Sequence, residues 1–256
     1  MASTAAPYTA LAEVYDQVMA HVDYDHWSDY VAELIRRFAP SHRTLLELAC
    51  GTGSLTVRLA SAFSGHYIAT DASPEMVAVA RKKLAGHPNV VLGIADFTNL
   101  ALTERFGVVV LAYDGINYLT TLPSVKKALV EIQRVTEPDG IFLFDQSTPA
   151  NSINNQSYFD DRFKGRDYSY TRTSSYSETD RIHTTEFVIQ KGKNRMTERH
   201  EQRAFTRMEM LEAVRSTEFV VEACFRAFDF ESADDSSERI QWVLRKAQSD
   251  RKISEA

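Results

Sequence analysis

The order of elements predicts an α/β chain: a seven-stranded, mostly parallel sheet with helices on both faces, and an antiparallel β-meander inserted after the fifth strand. Three observations carry this expectation. Short apolar runs near 44–49, 66–71, 90–95, 107–113 and 140–145 alternate with helix-periodic stretches near 53–63, 74–85 and 123–136, as in a parallel sheet covered on both sides. The first run leads into Cys50-Gly51-Thr52-Gly53, a glycine turn that opens a helix. After Asp145 the pattern changes to β-rich runs at 167–177, 181–191 and 195–205, separated by Glu178-Thr179-Asp180 and Gly192-Lys193-Asn194, short turns that suit a meander.

The first forty residues read as helix. Tyr8, Leu11, Val14, Tyr15 and Val18 have helical spacing, as do Trp27, Tyr30, Val31, Leu34, Ile35 and Phe38 ahead of Pro40. Ser73-Pro74-Glu75 supplies a cap and an N1 proline for the helix from 74, and Pro138-Asp139-Gly140 a turn before the fifth strand. Residues 146–166 are polar and irregular. Thr206, with Glu209 three positions on, reads as a capping box for a helix to about 217. Strands near 219–229 and 238–246 then close the sheet as an antiparallel hairpin around an exposed loop at 232–237.

At 256 residues, the chain is long enough for one Rossmann-like unit carrying an insertion. The expected division is 1–145 with 206–247 for the Rossmann-like unit and 146–205 for the insertion. Two cysteines, Cys50 and Cys224, are too few for a disulfide framework and point to a reducing, cytoplasmic home. No apolar run approaches a bilayer span, and the N-terminus has neither a basic start nor an apolar core, so neither a membrane nor a leader is expected. A net charge of −6 argues against nucleic acid as a partner. The histidines form no ligand-like cluster with Cys or Asp, and no metal site is expected.

The glycine turn carries the functional signal. Gly51 and Gly53 lack the Cβ that would block close approach, and the helix they open turns free N–H groups toward a ligand. Asp71 closes the second strand, 24 positions after Glu47, where a carboxylate accepts the hydroxyls of a ribose. A dinucleotide would want a third small residue near position 56, but Thr56 stands there, and Glu47 brings negative charge that suits a cationic ligand.

Leu45-Leu46-Glu47-Leu48-Ala49-Cys50-Gly51-Thr52-Gly53 resembles the first motif of the class I S-adenosylmethionine-dependent methyltransferases, with Ala49 where that family often has glycine. Thr70-Asp71-Ala72-Ser73-Pro74-Glu75-Met76 is similar to the second motif, Gly93-Ile94-Ala95-Asp96-Phe97 to the third, and Tyr113-Asp114-Gly115-Ile116-Asn117-Tyr118 matches the position of the fourth. The resemblance implies S-adenosylmethionine as cofactor, held by Glu47, Ala49, Gly51, Gly53, Asp71, Ala72, Met76, Asp96, Phe97 and Tyr113. Asp96 would accept the adenine amino group beside Phe97. Tyr15-Asp16 with Met19, Trp27 and Tyr30 look most like small-molecule methyltransferases, including those acting on amino sugars.

The expected reaction is in-line transfer of a methyl group to a nitrogen or oxygen of a small molecule. Tyr15, Asp114 and Tyr118 are the candidate catalytic residues: a phenol that covers the cofactor, and two groups at the mouth of the fourth strand. His183 and His200, in the meander, are half-exposed strand residues or, if the meander folds over the pocket, bases. Tyr168, Tyr170, Arg172 and Tyr176 share one strand face, as cross-strand packing or a substrate wall, while Lys191, Lys193, Arg195, Arg199 and Arg203 read as a solvated face. The meander is a substrate lid or a dimer surface on a monomer or homodimer. The alternatives are a nucleotide-dependent oxidoreductase and a non-catalytic cofactor-binding protein.

Overall fold

The computed structural model describes residues 3–155 and 160–247; residues 156–159 of the segment read as irregular, like the two ends, lie outside the described residues. A seven-stranded sheet forms the centre: β2 (Thr44–Leu48), β3 (His66–Asp71), β4 (Val90–Ile94), β5 (Phe106–Leu111), β6 (Thr136–Ser147), β11 (Phe219–Arg226) and β12 (Arg239–Lys246). Its order is β11-β12-β6-β5-β2-β3-β4, with β12 antiparallel to both neighbours and the other pairings parallel. The chain runs outward from β2 to β4 and returns on the other side of β2 as β5, so the strand order reverses between them. Ligands of open α/β sheets bind at that crevice, beyond the strands' carboxyl ends.

Helices α2 (Tyr24–Phe38) and α3 (Ser54–Ala62) cover one face, and α5 (Leu122–Val135) and α7 (Arg207–Arg215) the other, while α4 (Pro74–Lys83) runs between β3 and β4. β5 is buried at all six positions and β2 at all but its first, as expected of central strands covered on both faces. The capping signals work as read: Ser73 accepts from Met76 N–H, and Thr206 and Glu209 close a reciprocal box.

A second, five-stranded sheet stands over the strand ends, ordered β1 (Ser3–Ala5), β10 (Asn194–Arg203), β9 (Ile182–Lys191), β8 (Tyr168–Ser177) and β7 (Asp161–Lys164). The three long strands are the expected meander; β7 and the short helix α6 (Pro149–Asn154) come from the stretch read as irregular. The N-terminus departs further from expectation. Instead of one helix it forms β1, parallel to β10, then a 3-10 turn at Leu11–Glu13 and the four-residue α1 (Tyr15–Val18). The apolar spacing is nevertheless used, because Leu11, Val14 and Val18 pack with Tyr170, Phe187 and Ile189 of the second sheet. The loop between β11 and β12 is mostly exposed, but Ser237 is buried, its carbonyl accepting the Thr148 hydroxyl at 2.7 Å. No helix of the described residues is long and apolar enough to cross a membrane.

Candidate active site

β2 ends at Leu48, and the next five residues reverse the chain with three left-handed backbones: Ala49 (φ 51°), Gly51 (φ 57°) and Gly53 (φ 76°). The two glycines serve different purposes. A Cβ on Gly51 would meet no protein atom within 4 Å, and Gly51 lines the main cavity, so its missing side chain leaves the backbone open to a ligand. A Cβ on Gly53 would come within 3.2 Å of Ala80 Cβ; its smallness lets the turn pack on α4.

Asp71 is 8% exposed, and its carboxylate accepts from Gly51 N–H and Ser73 N–H, both at 2.8 Å. Burial pushes its pKa up, against those backbone hydrogen bonds. With Ala72 N–H as a third backbone partner, the carboxylate keeps acceptor capacity for a ribose hydroxyl, so the residues fit a ribose at this position.

A cavity of about 540 Å3 runs from this turn to the underside of the second sheet. Ala49, Gly51, Asp71, Ala72, Met76 and Phe97 line its one end; Tyr15, Tyr113, Asp114 and Tyr118 line it farther along. Glu47, Gly53 and Asp96 are absent from the described residues of its wall. Asp96 is exposed, and its carboxylate accepts from Thr98 N–H at 2.8 Å. Glu47 is buried, takes the Tyr67 hydroxyl, and borders a separate small cavity of about 50 Å3 behind the turn. Burial pushes its pKa up to about 7.

The loop after β5 is held in an unusual shape. Tyr113 (φ 61°) and Asp114 (φ 48°) are consecutive left-handed residues with side chains, a conformation that costs energy and needs surrounding support. Asp114 N–H donates to Asp145 Oδ2 at 2.9 Å, Gln202 donates to Asp114 Oδ2 at 2.5 Å, and Arg239 pairs with Asp114 at 2.8 Å and with Asp145. Arg239 also lies over the rings of Tyr113 and Trp27, at 5.3 and 5.6 Å. Burial works against its charge, but the two carboxylates outweigh that and hold it protonated. For Asp145, burial outweighs the arginine and lifts its pKa. Asn117 donates to the carbonyls of Ser147 and Arg203, 2.8 and 2.7 Å, and so ties this loop to both sheets.

The N-terminal segment closes the cavity and is fastened at three places. Asp16 takes the Thr52 hydroxyl at 2.5 Å and Lys83 at 2.9 Å, Ser73 donates to the Tyr8 carbonyl at 3.0 Å, and Glu198 of β10 accepts from the N–H groups of Tyr8, Ala10 and Leu11. Sequence reading missed Tyr8, Glu198, Gln202 and Arg239 as cavity or clamp residues, while Arg172, on the face read as packing or substrate wall, lines the cavity. Glu198, His200 and Gln202 did leave a signal, a polar row at period two. Arg203, read as solvated, instead bridges to Glu209 at 3.0 Å. Among the described residues no group of three or more His, Cys, Asp or Glu is placed to hold a metal.

The switch-point crevice, its glycine turn and the carboxylate closing the next strand agree with a class I S-adenosylmethionine-dependent methyltransferase, and the comparisons support that class. Residues 45–140 match the family model described as "Methyltransferase domain". The "Putative methyltransferase YqeM" of Bacillus subtilis (strain 168) is 29% identical over 94% of this chain and 97% of its own length. A dTDP-3-amino-3,6-dideoxy-alpha-D-glucopyranose N,N-dimethyltransferase of Streptomyces fradiae is 31% identical, over 53% of this chain and 52% of its own. Among solved structures, an S-adenosylmethionine-dependent methyltransferase from Clostridium acetobutylicum ATCC 824 superposes with a TM-score of 0.76 at 23% identity, covering 94% of this chain and 99% of that one. The sugar N-methyltransferase KedS8 from Streptoalloteichus sp ATCC 53650 does so at 0.73 and 21%, covering 97% and 98%.

Proposed function

We propose that this enzyme methylates a small molecule on nitrogen or oxygen, with an amine as the leading acceptor. The observation that carries the reading is the continuity of the cavity: one space joins the glycine turn and Asp71 to a polar, aromatic chamber beneath the second sheet. Likeness to the Streptomyces fradiae N,N-dimethyltransferase and to KedS8 favours nitrogen.

In this reading Asp71 holds the ribose hydroxyls, the Gly51 backbone admits close approach, and Met76 with Phe97 flanks the base. Asp96 reaches the base only from the rim. When bound, S-adenosylmethionine supplies a methyl on a sulfonium, whose thioether leaves without an acid. The protein's part is to align the acceptor in a dry chamber, an effect worth roughly 7–11 kcal/mol when geometry is right. Tyr15, Tyr118 and Asp114 face that chamber. Residues 1–145 with 206–247 hold the cofactor, and 146–205 form the lid over the acceptor, in a cytoplasmic monomer or homodimer.

Calorimetry with S-adenosylmethionine and NAD, followed by a labelled-methyl screen over amines, phenols, carboxylates and RNA, tests the reading. We expect the sulfonium compound to bind, NAD not to, and label to enter an amine. Asp71→Ala should weaken cofactor binding about 100-fold through loss of charge-assisted hydrogen bonds. Failure to bind either the cofactor or its demethylated product, or label in RNA alone, overturns it.

A further inference from the structure

An amine or hydroxyl acceptor must give up a proton, and Asp114, the carboxylate in the chamber, is poorly placed to take it. Its Oδ1 is paired with Arg239 at 2.8 Å and its Oδ2 is occupied by Gln202 at 2.5 Å. A different chain of groups crosses the same chamber. The Tyr118 hydroxyl bonds the Tyr8 hydroxyl on one side and His200 Nδ1 on the other at 3.1 Å. His200 Nε2 lies 3.3 Å from Glu198 Oε2. Tyr8, Tyr118 and His200 all line the cavity, while His200 is 4% exposed and Glu198 0%.

We propose that His200, oriented by Glu198, is the proton acceptor of this enzyme and that Tyr118 conducts the proton to it. The inference rests on the proposed transfer to an amine or hydroxyl. With Nε2–H donating to the Glu198 carboxylate, the Nδ1 lone pair faces the Tyr118 hydroxyl. As the acceptor's N–H or O–H bond breaks, its electron pair stays on the acceptor and the proton passes to the Tyr118 oxygen. Tyr118 gives its own proton to Nδ1, and the imidazolium is held against the carboxylate until product leaves and water takes the proton. A base oriented by a third group in this way is a recurring arrangement.

The surroundings agree with these roles. Burial raises the Tyr118 pKa, as it does that of Tyr8, so the phenols relay a proton and do not store charge. Burial also works against the Glu198 carboxylate, but the hydrogen bonds from His200 and three backbone N–H groups hold its pKa below the usual range, leaving it ionised opposite the imidazole. Around the His200 ring stand Tyr8 at 4.7 Å from the N-terminal segment, Phe187 at 5.4 Å from β9, Tyr118 at 6.1 Å from the turn after β5, and Glu198 from β10 itself. Because Glu198 also fastens residues 8–11, the acceptor chamber closes and the base is oriented through one carboxylate.

The test combines spectroscopy with kinetics on the full chain. Nitrogen-15 histidine spectra should show neutral His200 protonated on Nε2, and should shift with Tyr118→Phe; an Nδ1–H tautomer overturns the proposal. With an amine that the wild type methylates, His200→Gln should lower kcat about 100-fold while cofactor affinity by calorimetry stays within twofold. Its kcat should lose the acid limb of the pH profile, which distinguishes His200 from Asp145 and His183, and adding Tyr118→Phe should cost little more. Free imidazole should restore at least tenfold of the rate to His200→Ala, a rescue that a packing role would not give. A kcat within threefold of wild type in His200→Gln, or an unmoved acid limb, overturns the proposal. If the wild type methylates no amine or hydroxyl, the functional reading fails instead, and the tautomer measurement still decides the relay geometry.

Discussion

Ala49 and Glu47 show how a motif position acquires its meaning from the backbone. At Ala49 the chain is left-handed, φ 51°, which costs a residue with a side chain about 1–2 kcal/mol. Ala49→Gly should therefore stabilise the fold by about 0.5–1 kcal/mol after glycine's larger unfolded entropy is subtracted, seen as a higher Tm with cofactor affinity retained; a lower Tm would contradict it. Glu47 sets a pH dependence. Below about pH 4 its carboxyl is protonated in folded and unfolded chains alike. Above that the folded chain keeps a proton that the unfolded chain releases, because burial lifts the group to about 7, so its contribution declines as pH rises through 7, by about 3 kcal/mol at most. Glu47→Gln should be the more stable protein at pH 8.5 and equal to wild type near pH 4.5 in denaturant titrations. An equal gap at both pH values would rule this out.

The meander and the N-terminal segment act together as one element. β10 pairs with β1 and supplies Glu198, and β8 and β9 supply Tyr170, Phe187 and Ile189 as the floor for Leu11, Val14 and Val18. Neither strand nor segment could bury its apolar face without the other. Deleting residues 167–205 should abolish methyl transfer while cofactor binding remains measurable, and should speed hydrogen exchange across residues 8–18, which lose their Glu198 anchor. Unchanged turnover would refute the lid. Helical spacing in the first twenty residues selected Leu11, Val14 and Val18, which are buried, and the half-buried Tyr8 and Tyr15, but not their conformation, because the second sheet offered an apolar surface that a strand and two short turns match better than a helix.

Across the molecule, one cavity joins the glycine turn and Asp71 of the seven-stranded sheet to the five-stranded sheet. A ligand at 100 times its Kd adds about 2.7 kcal/mol to stability, which for a chain of this size raises Tm by about 5–10 °C. Both S-adenosylmethionine and its demethylated product should produce that shift in thermal scans, and NAD should not; a shift with NAD of the same size would contradict the assignment. The same scan on Asp71→Ala should give a much smaller rise at equal ligand concentration.

Periodicity and punctuation were sufficient for the α/β alternation, the antiparallel closing hairpin, the meander and the glycine turn followed by Asp71. Each of these is written locally, in spacings of two or about 3.6 residues and in the backbone freedom of glycine. Long-range pairing decided the rest. Arg239 meets Asp114 and Asp145, and Tyr8 meets Tyr118 and Glu198, across separations of 94 to 190 residues, and no local spacing encodes such a meeting. Burial, which lifts the Glu47 pKa to about 7, is likewise a property of the folded interior, since it depends on which side chains exclude water from a given point.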